Sequence, residues 1–399
     1  MSNIENQLST SSFTPTPLGP LGIISLQGSL DIAHKVDSYL IKWRGQADSC
    51  NDLLFTAPAH ERQSCIIGSK CPRFSNGEGK GVIDETVRGH DLFIFCDVGN
   101  YSITYDMYGM EVPMSPDDHY QDLKRMISAV AGKARRISVV MPMLYESRQH
   151  RRTMRESLDS AMALQELVAL GVENIITFDA HDPKIVNAVP FIGFENIHPT
   201  YQMLKALLRN EKHLQLDNDH MMVISPDEGA IDRNIYYSTV IGCDLGMFYK
   251  RRDFTQVING RNPIAAHEFV GSNVEGKDVI VADDMIASGD SILDVAKELK
   301  KRKAKNIYIL GTFGLFTSGL EKFDKAYEDG LFKRLFSTNL TYTNPDLVNK
   351  EWFTSVDCSK YLAYVITTLN HDYPVNVLLD PKKKIDKLLA NYNQLHFGE

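Results

Sequence analysis

Long hydrophobic runs are missing from this chain. No apolar stretch approaches the ~20 residues that a membrane-spanning helix needs, and no signal peptide opens the sequence, so no membrane segment is expected. Cysteine is sparse and scattered: Cys50, Cys65, Cys71, Cys96, Cys243 and Cys358 are the only six, and none forms a C-x-x-C pair. That spacing argues against zinc ribbons and redox dithiols, and it fits buried thiols in a reducing cytoplasm. Positive charge is not in excess either. The net charge is −8, so no global basic field points to nucleic acid, and any anion must be held by local clusters. No short-period repeat is visible. No Ser-His-Asp or Cys-His arrangement stands out, which leaves no obvious protein nucleophile.

What is present is a soluble globular composition, 43% hydrophobic and 24% charged over 399 residues. That length predicts two or three domains. Residues 279–305 carry the clearest pattern. Val279 to Ala282 reads as a buried strand, and Asp283 and Asp284 stand where it should end. A small-residue loop, Ala287-Ser288-Gly289-Asp290-Ser291, follows, and then a helix with lysines in its last turn, capped by Asp290 or Ser291. A strand, such a loop and a helix N-terminus together make an anion site, and two carboxylates beside it suit sugar hydroxyls or a metal.

Strands and helices alternate along the rest of the chain, which predicts an α/β fold with parallel sheets. Strands are expected at 21–26, 91–97, 137–141, 175–178, 221–224, 245–249, 307–312 and from 333. Helices are expected at 29–43, 117–135, 160–170, 200–210, 232–241, 358–369 and 382–389. The first twenty residues, rich in Ser, Thr and Pro, read as a flexible arm. Residues 44–70 read as an irregular insertion or small hairpin. Strand ends carry polar clusters: Asp179-Ala-His181-Asp182, Ser225-Pro-Asp227-Glu-Gly and Lys250-Arg251-Arg252. In open α/β sheets ligands bind at such ends. Four arginines at 148, 151, 152 and 155 follow another strand; they suit either a solvated helix face or a polyphosphate.

Five of these segments, in order, resemble the ribose-phosphate pyrophosphokinase family: RFSNGE at 73–78, ESRQHRR at 146–152, FDAHDPKI at 178–185, SPDEGAIDR at 225–233 with KRR at 250–252, and DDMIASGDS at 283–291. The likeness spans roughly residues 21–381. It implies two phosphoribosyltransferase-like, Rossmann-like domains, each a mostly parallel sheet flanked by helices. These would be an ATP-side domain over 21–195, with 44–70 as its insertion, and a ribose-phosphate domain over 196–350. Residues 351–399 would return a helix to the first domain and end in a tail.

The resemblance further implies transfer of the β,γ-pyrophosphoryl group of ATP to the 1-hydroxyl of ribose 5-phosphate, with Mg²⁺ as cofactor and a homo-oligomeric assembly, a hexamer or its dimer building block. By the same token Phe74, Asn76 and Glu78 would take the adenine, and Arg148 and Gln149 the nucleotide and its phosphates. His181 and Asp227 would organise the metal. Asp283 and Asp284 would hold the ribose hydroxyls, and Ser288, Gly289 and Ser291 the 5-phosphate. Lys250 and Arg252, on a mobile loop, would act on the transferred group. Four positions depart from the family pattern: Asn76 and His150, where Asp is usual; Ala287, where an acid is usual; and Asp290, where Gly is usual. A carboxylate at 290 either caps the helix facing solvent or repels the phosphate. A non-catalytic assembly partner and a phosphoribosyltransferase are the competing readings.

Overall fold

The computed structural model describes residues 17–48, 63–152, 154–252 and 264–398. Most of the expected N-terminal arm, and residues 49–62 of the expected insertion, lie outside this set. Among the described residues no helix is long and apolar enough to cross a membrane.

The first domain runs through β1 (Leu21–Ser25), α1 (Leu30–Asp48), β2 (Ser69–Lys70), β3 (Val82–Ile83), β4 (Asp91–Phe95), β5 (Thr104–Met107), β6 (Met110–Pro113), α2 (Pro116–Val130), β7 (Arg136–Val140), α3 (Asp159–Ala169), β8 (Asn174–Phe178) and β9 (Gly193–Ile197). Five of these form a parallel sheet in the order β1-β4-β7-β8-β9. Every residue of β4, DLFIF, is buried, because a central parallel strand is covered on both faces. β2–β3 and β5–β6 are separate antiparallel hairpins.

The second domain continues with α4 (Thr200–Asn210), β10 (Met221–Ser225), α5 (Ile231–Ile241), β11 (Asp244–Arg252), β12 (Ile264–Val270), β13 (Asp278–Ile286), α6 (Asp290–Lys301), β14 (Ile307–Gly314), α7 (Glu321–Glu328), β15 (Arg334–Thr338) and β16 (Phe353–Val356). Its sheet is ordered β12-β11-β10-β13-β14-β15-β16, parallel except for the β11–β12 pair. After it come α8 (Ser359–Asn370), a single helical turn at Asn376–Leu379, and α9 (Lys382–Phe397).

The first sheet therefore extends to Ile197 and the second to Val356, each a little past the boundaries expected from sequence. α8 packs back on α1, where Trp43 and Tyr364 stack with ring centroids 4.5 Å apart. Arg136 fixes this return. Its Nε and Nη2 grip Asp91 at 2.8 and 2.7 Å, and Nη2 also donates to the Leu369 carbonyl at 2.7 Å, where a cation complements the helix C-terminus. α9 is no loose tail. The Tyr392 hydroxyl donates to the Glu211 carbonyl at 2.9 Å and accepts from Leu214 N at 2.8 Å, which ties the helix to the second domain.

Asp97, just past β4, forms another joint between the halves. It is 4% exposed and accepts from Thr341 Oγ1 at 2.9 Å and from Tyr342 N at 2.8 Å. Burial outweighs these bonds and pushes its carboxyl up to about 6. The folded state thus holds a proton that the unfolded chain has already released. The stabilisation this gives is full below the ordinary carboxylate range and is lost as pH rises through about 6. The unfolding free energy of the wild type in urea should fall relative to that of Asp97→Asn between pH 4 and 7, by up to about 1.4 kcal/mol per pH unit. Parallel pH profiles for the two proteins would remove Asp97 as the source.

Candidate functional site

β8 ends at Phe178, and the next residue, Asp179, adopts φ +39° as the chain turns out of the sheet. This places Asp179 and His181 against the second domain. His181 Nδ1 lies 2.9 Å from Asp284 Oδ2. Asp283 and Asp284 are not past the end of their strand, as expected, but inside it. β13 keeps its register with β14 through Met285 and Ile286, because the buried Ile286 continues the apolar side beyond the acids.

Arg233, in the first turn of α5, lies between three carboxylates. Its Nε is 3.6 Å from Asp179, and its Nη1 is 3.7 Å from Asp283 and 3.9 Å from Asp284. Asp179 also accepts from His198 Nδ1 at 2.5 Å and from Thr312 Oγ1. One carboxylate therefore bridges the end of β8, the linker after β9, β14 and α5.

The electrostatics follow from this crowding. Burial pushes the Asp283 carboxyl well above the usual range, and the adjacent Asp284 adds to it, as does Asp227. For Asp284 burial acts in the same direction, but the His181 hydrogen bond and Arg233 outweigh it and bring the carboxyl down to about 2. Of the two neighbours, Asp284 is the one whose charge is favoured, and Asp283 is the one whose charge is opposed. The hydrogen bond to Asp284 raises the His181 imidazole. Burial opposes the charge on Asp179, yet Arg233 and His198 hold it below the usual range.

The arginine-rich stretch after β7 is not a helix face. Residues 141–152 and 154–158 run as turns and coil, with Glu146 at φ +54°. Arg148 crosses to the second domain, where its Nε and Nη2 donate to the Met285 thioether at 3.0 and 2.7 Å. A thioether is a weak acceptor for so strong a donor. Gln149 donates to the Ser157 carbonyl at 2.8 Å. His150 stands beside His181, ring centroids 5.4 Å apart, and its Nε2 is 3.5 Å from Asp182.

Asp227 closes the turn that leads into α5, its Oδ1 accepting from Gly229 N at 3.0 Å and Ala230 N at 3.3 Å, while Ala230 is the N-cap. Among the described residues no three His, Cys, Asp or Glu side chains are grouped to hold a metal ion. Lys250 and Arg252 lie on β11 rather than in a loop. Backbone pairing continues past Tyr249 and sets Lys250 against His267 and Arg252 against Ile264. Residues 253–263 lie outside the described residues.

At the start of α6 neither Asp290 nor Ser291 is the N-cap. Gly289 occupies that position at φ +86°, and Asp290 is the first helical residue. The loop 288–291 sits at the helix N-terminus as expected.

The Arg73–Glu78 segment stands apart from this cluster. Its Asn-Gly turn closes through Gly77 N to the Phe74 carbonyl at 2.8 Å, with Gly77 at φ +91°. Asn76 Oδ1 accepts from Glu78 N at 3.2 Å. Arg73 is pinned to Asp122 of α2 at 2.5 Å, and Tyr108 N of the β5–β6 hairpin donates to the Ser75 carbonyl at 2.8 Å. Phe74 is 53% exposed. Among the described residues no hydrogen bond or ion pair joins this segment to His181, Arg148 or the aspartates.

Reasoning from sequence placed Asp179 in a strand-end cluster and Arg233 at the end of the 225–233 segment but gave neither a role, and it missed His198 and Thr312. Arg233 had a signal. Ala230, Asn234, Tyr237 and Ile241 form the buried stripe of α5, and an arginine four residues before Tyr237 sits on its edge.

Comparison with known proteins agrees with this architecture. The profile of the N-terminal domain of ribose phosphate pyrophosphokinase matches residues 21–171, and that of the phosphoribosyl transferase domain matches residues 194–339. A ribose-phosphate pyrophosphokinase of Mycoplasma pneumoniae is 30% identical over 272 residues, 67% of this chain and 74% of that protein. One of Vibrio parahaemolyticus is 26% identical over 313 residues, 77% of this chain and 90% of that protein. The crystal structure of phosphoribosylpyrophosphate synthetase from Mycobacterium smegmatis superposes with a TM-score of 0.67 at 20% identity, covering 88% of this chain and 99% of that one. The two matched domains, in this order and over this share of the chain, make it a member of the ribose-phosphate pyrophosphokinase family, the enzymes of phosphoribosyl pyrophosphate synthesis.

Proposed function

We propose that the chain transfers the β,γ-pyrophosphoryl group of ATP to the 1-hydroxyl of ribose 5-phosphate, giving 5-phosphoribosyl 1-pyrophosphate and AMP. The observation that carries this is the His181–Asp284 hydrogen bond. It brings the ATP-side strand end of the first domain against the sugar-side strand of the second, with Arg148 alongside at Met285. Phosphoryl chemistry of this kind needs alignment and charge neutralisation rather than a protein nucleophile. Arg148 and Gln149 hold the nucleotide phosphates. Asp283 and Asp284 receive the ribose hydroxyls, and Ser288, Gly289 and Ser291 receive the 5-phosphate at the α6 N-terminus. Lys250 and Arg252 neutralise the transferred group.

The donor chemistry fits Mg²⁺. Asp283, Asp284 and Asp227 form a local excess of carboxylate in which burial and the neighbouring acids oppose the charge on Asp283, and His181 hydrogen-bonds Asp284 at its edge. Mg²⁺ takes few protein ligands and keeps its waters, so His181 and Asp227 suffice as its organisers. When bound, the ion supplies charge neutralisation for the phosphates.

The working unit is a homo-oligomer in the cytoplasm. Phe74, Asn76 and Glu78 bond only within their own neighbourhood, so we assign them to the adenine of a second copy's site. The five described cysteines are free thiols, in keeping with a reducing compartment. Two experiments test these points. Purified protein with ATP and Mg²⁺ should release AMP only when ribose 5-phosphate is present; sugar-independent or absent AMP release overturns the reading. Mixing inactive Phe74→Ala with inactive Lys250→Ala should recover activity, because one mixed site is intact; no recovery at any ratio places both residues in the same copy's site.

A further inference from the structure

The phosphate loop contains a carboxylate in the wrong place for binding an anion, and the fold answers it from α7. Asp290 Oδ1 lies 2.6 Å from Lys322 Nζ, and Asp290 Oδ2 accepts from Ser288 Oγ at 2.8 Å. The two elements are held in this relation by packing. A Cβ at position 289 would stand 2.2 Å from Cζ of Phe323, so only glycine lets the loop lie against that fully buried ring. Phe323 is the next residue after Lys322, and the same contact therefore sets the lysine beside the loop. Lys322 is the more enclosed member of the pair, its side chain 28% exposed against 68% for Asp290. Lys322 and then Ser288 hold the Asp290 carboxyl below the usual range, so it is charged at neutral pH.

We propose that Lys322 is a positioning residue for the sugar phosphate: it draws the Asp290 carboxylate away from the α6 N-terminus, cancels its charge, and leaves the Ser288 hydroxyl free to turn from Asp290 to a phosphate monoester. The proposal rests on the ribose 5-phosphate reading above. Ser288 has one proton to donate, and in the structure it goes to Asp290. With Lys322 in place, Asp290 keeps a strong partner after Ser288 leaves. Without it, an unpaired carboxylate competes with the phosphate for Ser288 and repels a dianion at close range.

Steady-state kinetics on four proteins tests this. Lys322→Ala should raise KM for ribose 5-phosphate about tenfold, the size of one uncompensated charge beside a dianion in a solvated site, while KM for ATP stays within about twofold. Adding Asp290→Gly to Lys322→Ala should bring KM for the sugar back to within about threefold of wild type, and Lys322→Arg should behave like wild type. A merely structural lysine would not be rescued by removing the acid. Lys322→Ala with a wild-type KM, or a double variant as weak as the single one, overturns the proposal. Absence of ribose 5-phosphate-dependent AMP from the wild type would instead overturn the proposed function, so the two failures are distinct.

Discussion

Replacing Arg233 with methionine is expected to lower the stability of the folded chain by about 3 kcal/mol and to abolish turnover. The guanidinium is flanked by Asp179, Asp283 and Asp284 at 3.6–3.9 Å, distances of charge attraction rather than of tight hydrogen bonds, and its Nε has no hydrogen-bond partner. Methionine matches its bulk but leaves three crowded carboxylates without their shared cation, answered among the described residues by the imidazoles of His181 and His198, the Thr312 hydroxyl and the Asp284 backbone N–H. Breaking a buried charge set by removing one sign costs more than the set itself contributes. The second effect is geometric. Asp179 is the point where β8, the 198–199 linker, β14 and α5 meet, and losing its cation loosens the surface that brings His181 to Asp284. Arg233→Lys, which keeps the charge without the planar fork, should fall between the two. Urea unfolding gives the midpoints. A methionine variant with the wild-type midpoint would show that the arginine is a bystander.

Replacing Lys250 with alanine should have the opposite profile: kcat lower by about a hundredfold to a thousandfold, with an unchanged unfolding midpoint. On the proposed function, the pyrophosphoryl group in transit is heavily negative, and the backbone at Lys250 lies near the outer end of β11, beyond the part of the strand that pairs with β10. Losing a cation that acts on the group during transfer should fall on kcat more than on KM. Wild-type turnover in this variant would take Lys250 out of the mechanism.

The α/β alternation and nearly every parallel strand were legible in the chain, because buried parallel strands such as DLFIF at 91–95 are continuous apolar runs. The β5–β6 hairpin was not, since its side chains are exposed or half-buried and present no apolar face. The nature of 143–158 was also hidden. Four arginines give no periodicity that separates a helix face from a loop crossing to another domain. Candidate residues at strand ends could be named from local motifs, but their partners could not. That His181 meets Asp284, and Asp179 meets Thr312, depends on how two sheets more than a hundred residues apart in sequence face each other. Asp290 is the clearest case. Its charge could be read from the sequence, whereas the lysine that answers it lies 32 residues away on another helix.

The proposed reaction is decided by the fate of the two terminal phosphates of ATP. ³¹P NMR of the protein with ATP, Mg²⁺ and ribose 5-phosphate should show AMP and a sugar 1-pyrophosphate rising in equal amounts, with no ADP. ADP with a sugar 1,5-bisphosphate, or ATP left intact beside the sugar, would contradict it.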